Sequence, residues 1–416
     1  MDAFGQQVPL YAVLPFVALL AAIAILPLAA AHWWESNRNK ALVVLALSVP
    51  VALYLSSAYP AGLWHSAHEY LSFIALLGSL YTIAGGIHLS GDLRASPRNN
   101  TLLLGLGAVL ANLVGTTGAS MLLIRVLLKT NSERKRIAHT PFFFILVVSN
   151  CGGLLTPLGD PPLFLGYLRG VPFTWTFGLW PYWLLAVGYL LALYYLVDRR
   201  AYHAEGAADL SRDAREVEPV RVSGLLNVAF LAGVIGAIFL STPLRELAMA
   251  LLTLASVWLA PAGPRRQNDF NFGPIVEVAV LFAGIFVTMV PALALLAARG
   301  AELGLDAPWQ FFLVTGGLSS VLDNAPTYLT FLSAAQGMHL ADQIVGVPTV
   351  YLLAISLGAV FMGANTYIGN GPNFMVKAIA EERGVKMPSF FAYAGKAILT
   401  LSPVYLAVLW LLGRTS

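Results

Sequence analysis

Runs of about 20 apolar residues recur from one end of this 416-residue chain to the other, each long enough to cross a hydrocarbon core of ~30 Å. Only 11% of the residues are charged and 58% are hydrophobic, against roughly 25% charged in a soluble domain. A chain so poor in charge cannot cover a water-facing surface, so lipid is its main solvent. No segment reads as a soluble domain, and no nucleic-acid partner is expected. The run at 8–31 is too long for a signal-peptide core and has no basic residue before it, so it reads as a retained first span. The single cysteine, Cys151, precludes an intrachain disulfide and speaks against a cysteine-built metal site. The net charge of +3 says little about partners, because membrane proteins gather basic residues on one side for topological reasons.

The apolar pattern places spans at about 8–31, 41–59, 66–89, 141–168, 179–197, 222–240, 244–260, 274–298, 348–376 and 389–412. Two further apolar stretches, 101–128 and 308–336, read as re-entrant hairpins that return to the side they entered from. The distribution of basic residues decides this. With hairpins, most of the 24 basic residues fall on the cytoplasmic side, in clusters such as Lys129 to Arg136 and Arg199 to Arg221. Were 101–128 a full span, the Lys129 cluster would land outside and every later loop would invert. Both termini are then expected in the periplasm, the chain lying in a bacterial inner membrane.

The expected fold is therefore an all-α polytopic membrane protein of about ten transmembrane spans plus two re-entrant hairpins, in two inverted repeats. The first repeat covers 1–200, with hairpin 101–128 and a break at 149–162. A cytoplasmic linker covers 201–221. The second repeat covers 222–416, with hairpin 308–336 and a break at 363–373. Each half has three spans, a hairpin and two spans, in opposite orientation, which is a plan of secondary transporters. Gly159-Asp160-Pro161-Pro162-Leu163-Phe164 aligns with Gly369-Asn370-Gly371-Pro372-Asn373-Phe374. Ala111-Asn112 through Thr116 aligns with Leu322-Asp323 through Thr327.

Four polar motifs interrupt the apolar runs: 112–120, 149–162, 319–327 and 363–373. Glycine and proline break helical hydrogen bonding, and irregular backbone at membrane depth is tolerated only inside protein or beside a water-filled cavity. Broken helices expose amides that attract anions and carbonyls that attract cations. Kinks alone would explain any one motif, but four at matching places point to one shared site. The candidate ion-binding residues are Asn112, Thr116, Thr117, Asn150, Thr156, Asp160, Ser320, Asp323, Asn324, Thr327, Asn365, Thr366 and Asn370. Asp160 and Asp323 carry the most weight, since a carboxylate at membrane depth must pair with an ion or titrate. A helix-capping role is the plain alternative for each. Sodium, if held, is expected at these two aspartates as substrate or coupling ion, and no cofactor is expected. Lys396, in the middle of the last span, reads as a counter-charge or a cavity-lining residue. Arg125 reads as a snorkelling anchor. Glu277 and His88 lie toward span ends, and His65, His68 and Glu69 read as interfacial.

The motifs Asn-Leu-Val-Gly-Thr-Thr-Gly from Asn112, Ser-Asn-Cys-Gly-Gly from Ser149 with Gly-Asp-Pro-Pro from Gly159, Asp-Asn-Ala-Pro-Thr from Asp323 and Asn-Thr-Tyr-Ile-Gly-Asn-Gly-Pro-Asn from Asn365 carry a resemblance. Over essentially the whole chain, the sequence resembles the citrate-transporter-like sodium/proton antiporters of the ion transporter superfamily. That superfamily also includes arsenite permeases and carriers of di- and tricarboxylates. The resemblance implies an elevator-type transporter with scaffold and transport domains, usually a homodimer. The Ser-Asn-Thr pairs of the carboxylate carriers are matched only in part, by Ser149-Asn150-Cys151 and Ala364-Asn365-Thr366, which counts against carboxylate binding.

Sodium/proton antiport is the leading functional expectation, because one carboxylate site can hold either a proton or a small hard cation. A sodium-coupled carrier of citrate or another carboxylate is the second, weakened by the lack of Arg or Lys within the four motifs. Arsenite efflux is a third. An intramembrane aspartic protease is a remote fourth: a dyad shares a proton between two carboxylates, but here the aspartates sit at non-equivalent positions and a dyad leaves the four breaks unexplained.

Overall fold

The computed structural model describes residues 2–414 apart from 207, 208, 210, 211, 214, 216 and 342, so the linker expected at 201–221 lies partly outside the described residues. With no water in a bilayer to satisfy the backbone, apolar sequence of this kind closes its hydrogen bonds within helices. The longer helices are α1 (Leu14–Ala29), α2 (Asn37–Ala58), α3 (Pro60–Ala84), α4 (Pro97–Thr130), α5 (His139–Val147), α6 (Pro161–Leu168), α7 (Trp180–His203) and α8 (Leu225–Ala237). After these come α9 (Leu244–Leu259), α10 (Gly273–Arg299), α11 (Pro308–Ser319), α12 (Asn324–Gln336), α13 (Thr349–Met362), α14 (Gly371–Glu382) and α15 (Phe390–Gly413). Among the described residues, six helical stretches are long and apolar enough to cross a membrane: Leu10–Ala29, Asn37–Ala58, Pro97–Thr130, Phe173–His203, Gly273–Leu303 and Phe390–Gly413.

One of those six does not run straight. Within α4, Gly115 takes φ 78° and ψ 156°, which no helix contains. Asn100 and Asn131 exchange amide hydrogen bonds at 2.8 and 2.9 Å, although 31 residues of straight helix would separate them by about 46 Å. The two legs therefore lie side by side, with the tip at Gly115. At the other site, α11 and α12 flank a break at 320–323, and the Phe311 and Phe331 rings approach to 6.3 Å between centroids. Both stretches expected to be hairpins fold back on themselves.

Several expected boundaries move. The stretch 66–89 starts earlier, at Pro60, and its helix ends at Ala84. Beyond Gly85-Gly86 the chain is extended, and His88–Ser90 pairs antiparallel with Arg221–Ser223. This small ribbon ties the linker to the end of α3, and the span expected from 222 begins as helix only at Leu225. Lys129 and Glu218 meet at 2.5 Å beside it, and the ammonium holds the exposed carboxyl below its usual range. The spans 141–168 and 348–376 are each two shorter helices with a non-helical segment between them.

The hairpins and broken helices form the interior, where Phe144, Phe164, Phe311, Tyr328, Phe361 and Tyr393 are fully buried. Helices α2, α9 and α15 keep large apolar side chains exposed, among them Leu53, Leu251, Trp258, Leu399 and Leu406. An apolar surface of that extent has no place in water. It suits a lipid-facing wall.

Candidate functional site

The two broken helices follow the same course. After α5, a short 3-10 turn (Cys151–Leu155) leads to extended Thr156 and extended Asp160, and α6 begins at Pro161. After α13, a 3-10 turn (Gly363–Asn365) leads to extended Thr366 and extended Asn370, and α14 begins at Gly371. Each segment crosses itself so closely that a Cβ on Gly159 would overlap the Gly153 carbonyl, and one on Gly369 the Gly363 carbonyl. Only glycine fits at these two crossings.

Side chains from the hairpins repair the freed backbone. Asn112 donates to the carbonyls of Ala108 and Gly152, accepts from the Leu155 amide, and its own carbonyl accepts from Thr156 Oγ1 at 2.5 Å. Ser320 mirrors this, its one hydroxyl hydrogen shared between the Gly316 and Met362 carbonyls at 2.9 and 3.0 Å, while its own carbonyl accepts from Thr366 Oγ1 at 2.5 Å. Asn365 donates to Ser320 Oγ at 3.0 Å and accepts from Tyr405. The bonding thus matches Asn112 with Ser320, not with Asp323 as the sequence alignment had it. By the same register Thr116 matches Asn324, while Asp160 matches Asn370 through the broken helices, in the register of Gly159 with Gly369 and Thr156 with Thr366.

Those last four residues meet. Asp160 Oδ1 accepts from Thr116 Oγ1 at 3.1 Å and from Asn370 Nδ2 at 2.9 Å, and Oδ2 accepts from Asn324 Nδ2 at 2.7 Å. One carboxylate, only 1% exposed, joins the first hairpin tip, the second hairpin and both broken helices. Asn150 lies one step behind, donating to Asn373 Oδ1 at 2.7 Å and accepting from Asn370 at 3.3 Å. Ser149 and Ser120 share a hydrogen bond of 2.8 Å beside it. The amide oxygen of Asn324 is buried without a partner.

Asp323 is placed differently. It caps α12 by accepting from the Ala325 amide at 3.0 Å and lines a cavity of about 90 Å³. The cavity lies between this junction and the walls made by α3 and α10, where Tyr81 and Phe282 face Thr116, Thr117, Asn370 and Gly371. Among the described residues no Lys or Arg lines it.

Of the candidates, Thr116, Asn150, Asp160, Asn324 and Asn370 form the junction, and Thr117 and Asp323 join it at the cavity. Asn112, Thr156, Ser320, Asn365 and Thr366 splint the broken backbone around it. Thr327 donates to the Asp323 carbonyl within its own helix and is not brought to the junction by its side chain. Lys396 is exposed on α15, so neither role expected of it is realised: it is no counter-charge to an aspartate and does not line the cavity. Arg125 approaches Asp269 at 4.0 Å, Glu277 meets Lys40 at 2.8 Å and His88 meets Asn268 at 2.7 Å. Glu69, expected at an interface, is buried and paired with Arg169 as well as with His65 at 3.3 Å. Asn373 and Ser149 were passed over as site residues. The run of asparagines at 365, 370 and 373 was the available signal for the first. Among the described residues no cluster of three or more His, Cys, Asp or Glu is placed to hold a metal ion, and Cys151 is buried and free.

A sequence model of a family described as "Putative citrate transport" matches residues 5–412. An uncharacterized transporter of Mycobacterium tuberculosis H37Rv is 28% identical over 340 residues, covering 76% of this chain and 77% of its own. A second uncharacterized transporter of that strain is 25% identical over 343 residues, covering 75% and 77%. A 46 kDa membrane protein of Mycobacterium leprae is 26% identical over 334 residues, covering 76% and 77%.

Proposed function

The chain belongs to the family described as "Putative citrate transport" and is a membrane transporter rather than an enzyme, and we propose that it exchanges sodium for protons by alternating access. One observation carries this reading. Two carboxylates, Asp160 and Asp323, stand at and beside the point where both hairpins and both broken helices meet, with no basic side chain on the cavity wall. Negative charge in such a place is costly unless a proton or a small cation neutralises it. Competition between the two for one acidic site is sufficient to couple their movements.

The matched bonds of Asn112 with Ser320 and of Thr156 with Thr366 support two inverted repeats, 1–200 and 222–416, joined by the 201–221 linker. In this reading the hairpins, the broken helices and α7 and α15 form a transport domain. Helices α1–α3 and α8–α10 form a scaffold through which a homodimer assembles, an elevator arrangement in an inner membrane with both termini periplasmic.

A second reading, sodium-coupled carriage of citrate, has one feature in its favour: Thr117-Gly118 and Gly371-Pro372, at the starts of helical segments, line the cavity, and helix N-termini favour carboxylates. The absence of a basic lining residue weighs against it for a polyanion. Proteoliposomes loaded with a pH dye separate the two. Antiport predicts proton movement on adding sodium alone. Proton or sodium flux that requires citrate would select the second reading, and flux driven only by arsenite would reject both.

A further inference from the structure

The two carboxylates have unlike surroundings. Asp160 has three side-chain partners, all donors, and is not itself among the residues lining the cavity on which Asp323 stands. The Asn370 amide that donates to it also donates to the Ser149 carbonyl at 3.0 Å, so this amide cannot turn its oxygen toward Asp160 without facing that carbonyl. Its bonds run to both hairpins and to the second broken helix, while its own backbone belongs to the first. Asp323 accepts a single hydrogen bond on Oδ1, while Oδ2 has no partner among the described residues. It is only partly buried and stands on the cavity wall. The next residue, Asn324, is fully buried and carries the amide oxygen left without a partner. A buried acceptor without a donor is uncommon and costs roughly 1–3 kcal/mol. A bound cation would satisfy it.

We infer that Asp323 is the carboxylate that receives the transported ion from the cavity, and that Asp160 is a fixed acceptor around which the four broken segments assemble. This rests on the reading of ion exchange given above and assigns the two aspartates separate tasks. The incoming species is a proton or a small monovalent cation with affinity for oxygen, held by Asp323 with the Asn324 oxygen as the neighbouring ligand. Asp160 is a positioning residue. An asparagine there would turn an amide nitrogen toward donors, so its loss acts first on the assembly of the site.

Purified protein is assayed for thermal stability with and without sodium chloride, and for sodium-driven proton flux in liposomes. Asp323→Asn is expected to melt close to wild type in the absence of sodium, yet to lose the sodium-induced rise and at least tenfold of the flux. Asp323→Glu, which keeps a carboxylate on the cavity, is expected to recover part of both. Asp160→Asn and Asp160→Glu are each expected to melt well below wild type without sodium. Flux and sodium response in Asp323→Asn equal to wild type would overturn the inference, as would Asp160→Asn that melts like wild type but no longer responds to sodium. If Asp160→Asn yields no folded protein, the Asp323 pair decides the matter alone. A wild-type protein with neither sodium response nor flux would instead remove the reading beneath the inference.

Discussion

Gly115 shows how much one residue can set. Its φ of 78° with ψ 156° lies in a region that side-chain-bearing residues rarely enter, and a Cβ there would stand 3.3 Å from the Leu158 carbonyl. Gly115→Ala is expected to cost about 1–3 kcal/mol, seen as a lower melting temperature in detergent. An unchanged melt would mean that the tip is not held in this form. The pair Glu69–Arg169 offers a second check. Both side chains are nearly buried, at 6% and 14% exposed, so Arg169→Gln leaves the buried Glu69 carboxylate with the His65 imidazole in place of a guanidinium, at a cost of up to roughly 3–5 kcal/mol. The double variant Glu69→Gln with Arg169→Gln is expected to lose less than the single one. Equal losses would show that the pair is not coupled. At this scale Asp160 and Asp323 were legible, because a carboxylate amid apolar sequence demands an explanation. The splinting roles of Asn112, Ser320 and Asn365 were not, because their partners, backbone carbonyls for the first two and the Ser320 hydroxyl for the third, lie some 40 residues away where no local pattern encodes them.

The hairpins were legible from charge rather than from hydropathy. By length and apolarity alone Pro97–Thr130 qualifies as a span, and only the basic cluster beyond it forced the chain back. The structure closes this hairpin at its base with Asn100 and Asn131, and Asn100 also donates to Asp198, which Arg134 reaches at 2.7 Å. Cysteines in place of Asn100 and Asn131 are expected to form a disulfide under mild oxidation, detected by mass spectrometry of the intact protein. Failure to couple while the protein remains folded would favour a straight helix. The helix of α3 ends before the expected 89 because Ile87 and Leu89 carry the apolar run past Ala84, whereas the strand His88–Ser90 finds its partner 131 residues on, at Arg221. The register between the halves slipped for a related reason. Ala111-Asn112 and Leu322-Asp323 align as letters, with Thr116 falling on Thr327, but the hydrogen bonds align Asn112 with Ser320.

For the whole molecule, composition alone gave the all-helical membrane class, while the meeting of the four breaks required coordinates. Arg134 is buried with Asp198, so the exposed neighbour Lys135 is the better reporter of orientation. Single cysteines at Lys135 and Arg212 are expected to react with impermeant reagents from the cytoplasmic side only, and labelling of position 135 from outside would undo the proposed inverted plan. The central claim is that sodium and protons compete at one acidic site built from these breaks. Calorimetric titration of the purified transporter with sodium across a pH series tests it most directly. Competition predicts that the apparent sodium affinity falls steadily as the pH is lowered, approaching tenfold per pH unit where one proton displaces one ion. Sodium affinity that stays constant across the series, or no sodium binding at any pH, would contradict it.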